Sequence, residues 1–229
     1  QNGVAIDVKF LNDYSNVFTE EILKAQEEIF ETSGTTFNLD SPKQLGEVLF
    51  DFMKIPYQGK KTKTGQYSTN EETLQKLAEE QPIVHKILDY RELTKLKSTY
   101  IDALPNIVNP RTGLVHTTFN QTIASTGRLS STNPNLQNIP IKTERGKEIR
   151  RAFIARGNNR VILSADYSQI ELRIIASLSK DPKMVEAFEL GLDIHAATAA
   201  NVYGVSLESV DSTMRRNAKM VNFGIIYGI

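Results

Sequence analysis

Four side chains near the end of the chain recur at intervals of four residues, a spacing typical of one helix face: Arg215, Lys219, Phe223 and Tyr227. An α-helix turns about 100° per residue, so each step of four moves a side chain by only about 40°. The stripe therefore presents two cations and then two rings over roughly 18 Å of helix. Such a face suits a ligand with phosphates at one end and a sugar and base at the other. A solvated amphipathic helix is the competing interpretation.

A second informative segment joins a short apolar run to an aspartate. Val161–Leu163 predicts a buried β-strand, and the apolar pattern that starts at Ile170 predicts a helix. Asp166 lies between them, where a carboxylate at an exposed strand end suits a hard cation such as Mg²⁺. The competing interpretation of Asp166 is an N-cap for the helix that follows.

Composition indicates a soluble globular protein of one or two domains, because 40% of the 229 residues are hydrophobic and 24% are charged. The formal net charge is zero, so composition alone gives no argument for nucleic acid. Residues 142–160, however, carry seven Lys or Arg against two Glu. A local basic patch of this kind is compatible with binding to a phosphate backbone. The chain has no cysteine, which excludes disulfides and thiolate metal sites.

The first hundred residues are predicted to form helices joined by polar loops. Asn70 is a candidate N-cap, and Pro82 is expected to open a helix that continues toward Tyr100. Residues 58–68 form a Lys-, Gly- and Thr-rich loop. Further along the chain, 109–113 carries a turn signal and 114–122 alternates as a strand does.

Five motifs, in order along the chain, closely resemble family A DNA polymerases, the bacterial DNA polymerase I type. They are LTKLKSTY from Leu93, TGRLSSTNPNLQNIPI from Thr126, DYSQIELR from Asp166, DIHAATA from Asp193 and RRNAKMVNFGIIYG from Arg215. The similarity runs through nearly the whole chain, and five ordered motifs are a specific signal.

The resemblance implies an α+β, mainly helical protein with the right-hand polymerase fold of thumb, partial palm and partial fingers. Residues 1–105 are expected to form a thumb-like helical region. Residues 106–178 would form a partial palm with a metal-binding strand. Residues 179–229 would form partial fingers with a nucleotide-binding helix.

The resemblance also implies template-directed DNA synthesis, in replication or repair, with two Mg²⁺ ions assisting attack of a primer 3′-hydroxyl on the α-phosphate. Asp166 and the backbone carbonyl of Tyr167 are the implied metal ligands, and Asp166 and Lys219 the implied catalytic residues. The family carries a second aspartate in a later His-Asp-Glu motif, which does not follow Ile229 here. We therefore expect the chain as given to be an incomplete enzyme, inactive by itself.

The residues implied to contact the incoming nucleotide are Glu171, His195, Arg215, Lys219, Phe223 and Tyr227. The basic side chains are assigned to the phosphates, Phe223 to the sugar and Tyr227 to the templating position. Glu171 is assigned to exclusion of a ribose 2′-hydroxyl. The competing interpretations are an ion pair for Glu171 and a capping or packing role for His195.

The residues implied to contact DNA are Lys95, Arg128, Asn135, Gln137 and Asn138. Minor-groove acceptors occur in every correct base pair, so the last four side chains are suited to sense pairing without reading sequence. Lys95 is assigned to the phosphate backbone, a contact that salt weakens.

The expected partners are primer–template DNA and deoxynucleoside triphosphates, and the protein is expected to be a monomer. No long apolar span is present, so we expect no membrane association and a bacterial cytoplasmic or nucleoid location, with an organelle as the alternative. Two other functions stay open. One is a single-subunit RNA polymerase relative, against which Glu171 and the TGRLSS motif argue. The other is a non-catalytic nucleic-acid-binding protein.

Overall fold

A computed structural model describes most of the chain, and it divides the chain into two compact units. The described residues are 2–57, 59–141, 143–157 and 159–228, without the side chains of Ile226 and Tyr227. The two units are Gln1–Ile162 and Leu163–Ile229. This two-unit division does not test the expected thumb, palm and fingers regions, which stay a prediction.

The first unit is built on helices, with two small antiparallel strand pairs. Its helices are α1 (Val8–Ser33), α2 (Pro42–Gly46), α3 (Glu71–Ala78), α4 (Pro82–Leu96), α5 (Ala103–Asn106) and α6 (Glu144–Arg150). Glu47–Phe52 and Lys97–Ile101 are π-helical segments that continue α2 and α4. The strand pairs are β1 (Ala5–Ile6) with β4 (Phe153–Ile154), and β2 (Thr118–Asn120) with β3 (Ser130–Thr132).

The second unit is helical throughout its regular elements. These are α7 (Ile170–Ser179), α8 (Pro182–Glu189), α9 (Ile194–Tyr203), a 3₁₀ turn (Leu207–Ser209) and α10 (Ser212–Tyr227). Its small core joins Leu172 of α7, Ala187 of α8 and Ile194 of α9. α9 and α10 pack closely on each other. The small side chains of Ala199 and Ala218 are buried, which allows neighbouring helices to approach.

Most helices begin where the sequence supplies a side-chain cap. Seven of them follow a residue whose side-chain oxygen accepts a backbone N–H of the first turn: Asp7, Ser41, Asn70, Thr143, Asp181, Asp193 and Asp211. Each such bond satisfies a donor that the helix itself leaves unpaired, and is worth about 1 kcal/mol. The predicted cap at Asn70 and the predicted helix start at Pro82 are confirmed.

Two buried clusters hold the first unit together, and α1 and α4 contribute to both. In one cluster Ile29 of α1 packs with Ile87 of α4. In the other, Phe18 of α1 packs with Leu93 of α4 and with Ile149 of α6. Full burial of such a side chain is worth about 1.5–3 kcal/mol, so these contacts fix where α4 and α6 lie.

The predicted buried strand at Val161–Leu163 is wrong. No strand forms there, and the side chains of Val161 and Leu163 are 88% and 87% exposed. A strand needs a partner for its backbone N–H and C=O groups, and none of the described strands pairs with this segment. The predicted strand at 114–122 shortens to β2, whereas the predicted turn is confirmed by hydrogen bonds from Thr112 and Gly113 to the Asn109 carbonyl.

Across the described ranges, no helix combines the length and the apolar character that crossing a bilayer demands.

Candidate functional site

The predicted stripe near the end of the chain lies on α10, so the helical interpretation of its spacing is confirmed. The helix begins after Asp211, whose carboxylate accepts the N–H groups of two residues in the first turn. Arg215 and Lys219 are exposed and Phe223 is half-buried. The side chain of Tyr227 lies outside the described residues. The cations are thus available on the first half of the helix.

Asp193 ties the start of α9 to α10 with its two carboxylate oxygens. Its Oδ1 accepts the backbone N–H groups of His195 and Ala196, at 2.8 and 3.2 Å. Its Oδ2 accepts Nε–H and Nη2–H of Arg215, at 2.9 and 2.6 Å. The carboxylate is therefore a helix cap and an ion-pair partner at once.

These contacts shift the pKa of Asp193 and orient Arg215. Burial alone would raise that pKa, but the hydrogen bonds from Arg215 and from the backbone, with the Arg215 charge, lower it below its ordinary value. The carboxylate is thus ionised at neutral pH. Arginine has five N–H donors in a planar fork, so a guanidinium held through Nε and Nη2 still has the chemistry to meet a phosphate.

His195 lies in the first turn of α9 and is 3% exposed. Its Nδ1 lies 3.1 Å from Nδ2 of Asn222, and its ring centroid lies 5.7 Å from that of Phe223. Burial lowers the pKa of His195; Asp193 opposes this shift, whereas Arg215 and Lys219 add to it. The imidazole is therefore neutral at pH 7. Of the two competing interpretations, packing is observed, whereas the cap of α9 is Asp193.

The predicted metal ligands lie in a segment without regular structure. Asp166 is exposed, and the Tyr167 side chain is 81% exposed. α7 starts at Ile170 after Gln169, so Asp166 does not take the alternative role of helix cap. Glu171 is half-buried in the first turn of α7. Among the residues that the structure describes, no three His, Cys, Asp or Glu side chains gather into a metal-binding group.

In the first unit, four of the five predicted DNA contacts line one groove of about 840 Å³: Lys95, Asn135, Gln137 and Asn138. The fifth, Arg128, is exposed on the loop before β3 and lies outside the described lining of the groove. α4 supplies Lys95 to the groove, and the segment between β3 and α6 supplies the three amides. The structure thus gathers residues that are about forty positions apart in sequence.

Hydrogen bonds fix the segment that carries Asn135, Gln137 and Asn138. The hydroxyl of Tyr100 donates to the Asn138 carbonyl at 2.5 Å. The Asn135 side chain accepts the N–H of Gln137 at 3.0 Å, and Gln137 Nε2 donates to the Leu129 carbonyl at 3.2 Å. Because tertiary contacts fix this segment, a ligand that enters the groove meets donors already in place.

Sequence reasoning did not single out four residues that the structure brings to these places. Thr99 and Arg150 line the groove, and Thr198 and Asn222 complete the polar contacts around His195. Helical periodicity carries a signal for Asn222, because it lies seven residues after Arg215 and three after Lys219, on the same face. For Arg150 the sequence signal is its place in the basic patch of residues 142–160, which does not distinguish it from the other cations of that patch.

Comparison with known proteins gives one consistent result. The model of the DNA polymerase family A matches residues 8–229. The thermostable DNA polymerase I of Thermus aquaticus is 53% identical over 227 residues, covering 99% of this chain and 27% of that protein. DNA polymerase I of Geobacillus stearothermophilus is 52% identical, covering 99% of this chain and 26% of that protein. The chain thus spans about a quarter of the length of these relatives.

A solved structure agrees with the sequence comparison. It is described as the POL domain of Pol1 from M. smegmatis in complex with DNA primer-template and dNTP. The TM-score is 0.86 at 45% identity, over 99% of this chain and 40% of that one. The likeness confirms the predicted α+β, mainly helical class and its right-hand polymerase type.

Proposed function

The chain belongs to DNA polymerase family A, and we propose that it serves template-directed DNA synthesis by holding a deoxynucleoside triphosphate beside primer–template DNA. The primer 3′-hydroxyl attacks the α-phosphate and pyrophosphate leaves. The observation that carries the proposal is the α9–α10 pair, which brings Arg215, Lys219 and His195 to one place in the second unit. The charges of Arg215 and Lys219 both act on His195, since each lowers its pKa.

The proposed phosphate site uses charge and directional donors together. Lys219 is exposed on α10, one turn after Arg215, and its ammonium is a compact charge for a phosphate oxygen. Arg215 is pre-oriented by Asp193, which reduces the side-chain entropy lost when it engages a ligand. Neutral His195 adds a hydrogen-bond donor without adding charge.

The sugar and base would lie further along α10 in this proposal. Phe223, one turn after Lys219, offers a half-buried ring to the sugar, and Tyr227 is assigned to the templating position one turn later. Glu171, in the first turn of α7, is proposed to exclude a ribose by its bulk. A side chain that collides only with a 2′-hydroxyl selects deoxynucleotides by destabilising the wrong ligand.

The groove of the first unit is the proposed contact for DNA. Its amides donate to minor-groove acceptors common to all correct pairs, while Lys95 and Arg150 contact phosphates. Arg128 is proposed to assist from the loop before β3. Binding that depends on Lys and Arg at phosphates releases counterions and weakens as salt rises.

The residues of this chain fit one Mg²⁺ ion in part and do not by themselves fit two. Asp166 and the Tyr167 carbonyl would supply two oxygen ligands to such an ion, which would assist attack on the α-phosphate. No group of three candidate side chains occurs in the described ranges to hold a second ion. The two-ion requirement and the inactivity of the chain alone stay predictions, which primer extension beside Asp166→Ala tests.

Replacement of Lys219 tests the phosphate site. We expect Lys219→Ala to weaken dNTP–Mg²⁺ binding by roughly tenfold or more, because it removes a charge-assisted hydrogen bond. Arg216→Ala is the matched control, since it removes one cation from the same helix at a position about 60° around the axis from Lys219 and about 100° from Arg215. Equal, small effects of both substitutions, measured by calorimetric titration, would contradict the proposed site.

Among the other functions considered, membership of the family disfavours a single-subunit RNA polymerase relative. If the chain were a non-catalytic nucleic-acid-binding protein, it would bind DNA but would have no nucleotide site on α10. The Lys219 experiment therefore separates this alternative from the proposed function. We also propose that the protein acts as a monomer.

A further inference from the structure

Asn222 makes two polar contacts that link α10 to α9. Its side-chain nitrogen Nδ2 lies 3.1 Å from His195 Nδ1 and 3.1 Å from the hydroxyl of Thr198. Asn222 is half-buried, and His195 is almost fully buried. Hydrogen bonds at such a position are fixed in geometry because water does not compete freely for the same atoms.

The chemistry of these atoms determines where the imidazole proton resides. An amide nitrogen has two N–H donors and no acceptor, so both contacts of Asn222 run outward from its nitrogen. His195 Nδ1 must then be the acceptor, and a neutral imidazole that accepts at Nδ1 carries its proton on Nε2. Thr198 receives the second hydrogen of the same amide nitrogen.

We propose that Asn222 is a positioning residue that fixes neutral His195 in its Nε2–H tautomer, so that the ring presents a donor and not a lone pair to a triphosphate oxygen. The inference rests on the proposed nucleotide site, which it deepens. Asn222 acts through His195 and Thr198 and needs no contact with the ligand itself.

The surroundings of His195 explain why a tautomer-setting neighbour matters. Burial, opposed by Asp193 and assisted by Arg215 and Lys219, keeps the imidazole neutral. A neutral imidazole has only one N–H, and the opposite tautomer would place a lone pair where the Nε2 donor is needed. Because phosphate oxygens are themselves acceptors, that tautomer would lose the contact.

The wild-type tautomer is measurable directly. Long-range ¹⁵N–¹H NMR distinguishes Nε2–H from Nδ1–H imidazole, and the chain has only three histidines to assign, His85, His116 and His195. His195→Ala identifies the signal. We expect Nε2–H for His195 at pH 7.5 in the wild-type chain. An Nδ1–H signal overturns the inference, whatever the variants show.

Asn222→Asp tests the cause, because a carboxylate accepts where the amide donated. We expect His195 to change to Nδ1–H or to imidazolium, and dNTP–Mg²⁺ binding to weaken about tenfold. The matched control is Asn217→Asp, which places the same charge on α10 at an amide that donates to the Tyr203 hydroxyl at 3.0 Å. It should leave the His195 tautomer unchanged.

The two readouts separate the inference from the proposed function. If Asn222→Asp changes the tautomer and nucleotide affinity falls no further than in Asn217→Asp, the role of His195 at the phosphates is wrong and the tautomer assignment stands. If Asn222→Asp leaves the Nε2–H signal unchanged, Asn222 does not set the tautomer. If that variant does not fold, an Nδ1–H signal in the wild-type spectrum still overturns the inference.

Discussion

The carboxylate of Asp193 combines a helix cap with an ion pair to Arg215, a residue of the proposed nucleotide site. One oxygen caps α9 and the other holds the guanidinium of Arg215 on α10. Asparagine caps helices about as well as aspartate does, but it carries no charge. Asp193→Asn therefore removes the ion pair, keeps the cap, and so separates the two roles.

Asp193→Asn should therefore lower stability in a pH-dependent way. The pKa of Asp193 is lowered in the folded chain, so its stabilising effect is full above the ordinary value of 3.8 and is lost as pH falls through the folded-state pKa. We expect a loss of about 1 kcal/mol or less at pH 6, since the pair is partly exposed, and a smaller difference near pH 3. Urea unfolding at both pH values measures this.

The control for that experiment is Asp211→Asn, which alters a cap of the same kind at α10. The described contacts of Asp211 are backbone N–H groups only. A pH-dependent loss as large in Asp211→Asn as in Asp193→Asn would show that the ion pair with Arg215 adds nothing to stability.

Glu171 gives a second prediction at the level of one side chain. We expect Glu171→Ala to reduce the preference for dNTP over rNTP, because it removes the bulk assigned to the sugar's 2′ position. Glu171→Gln keeps nearly the same volume and should keep the preference. Competition between the two nucleotide types for one chain measures the ratio, and an unchanged ratio in Glu171→Ala removes the assignment.

Among the elements, α4 has two faces that make different contacts. Lys86 and Lys95 are nine residues apart, which is about two and a half turns, so they point to opposite sides. Lys86 pairs with Glu28 of α1 at 3.1 Å, whereas Lys95 lines the groove with the three amides. The helix thus packs on one side and is available to a ligand on the other.

Lys95→Ala should therefore weaken duplex DNA binding uniformly across sequences. If one phosphate contact is lost, the slope of log affinity against log salt should decrease by about 0.9. Lys86→Ala, on the packing face, should leave that slope unchanged. Fluorescence anisotropy at several salt concentrations gives both values, and identical slopes in the two variants would exclude Lys95 from the DNA contact.

Elements whose signals are local could be predicted from the sequence. Asn70 and Pro82 mark helix starts through their own chemistry, and the stripe on α10 follows from periodicity alone. Val161–Leu163 could not be placed correctly, because a strand depends on a pairing partner that no local pattern reveals. The motifs indicate Lys95 and Asn138 as separate DNA contacts, but no local pattern reveals that they line one groove. That arrangement depends on the packing of α4, the Lys97–Ile101 segment and the chain that follows β3.

At the scale of the whole molecule, the proposed function requires both the proposed nucleotide site of the second unit and the proposed DNA groove of the first. The chain spans about a quarter of the curated relatives and belongs to their family over nearly its full length. Membership of the family predicts that the chain binds both DNA and a deoxynucleoside triphosphate. Template-directed synthesis requires, in addition, that the bound DNA selects which nucleotide binds.

The most direct test is dNTP binding in the presence of primer–template DNA whose templating base is varied. With Mg²⁺ present, we predict that each dNTP binds more tightly opposite its complementary base than opposite the other three, and that Lys219→Ala weakens all four dNTPs. Equal affinity for all four dNTPs whatever the templating base, or an affinity that does not depend on the DNA, would contradict the account.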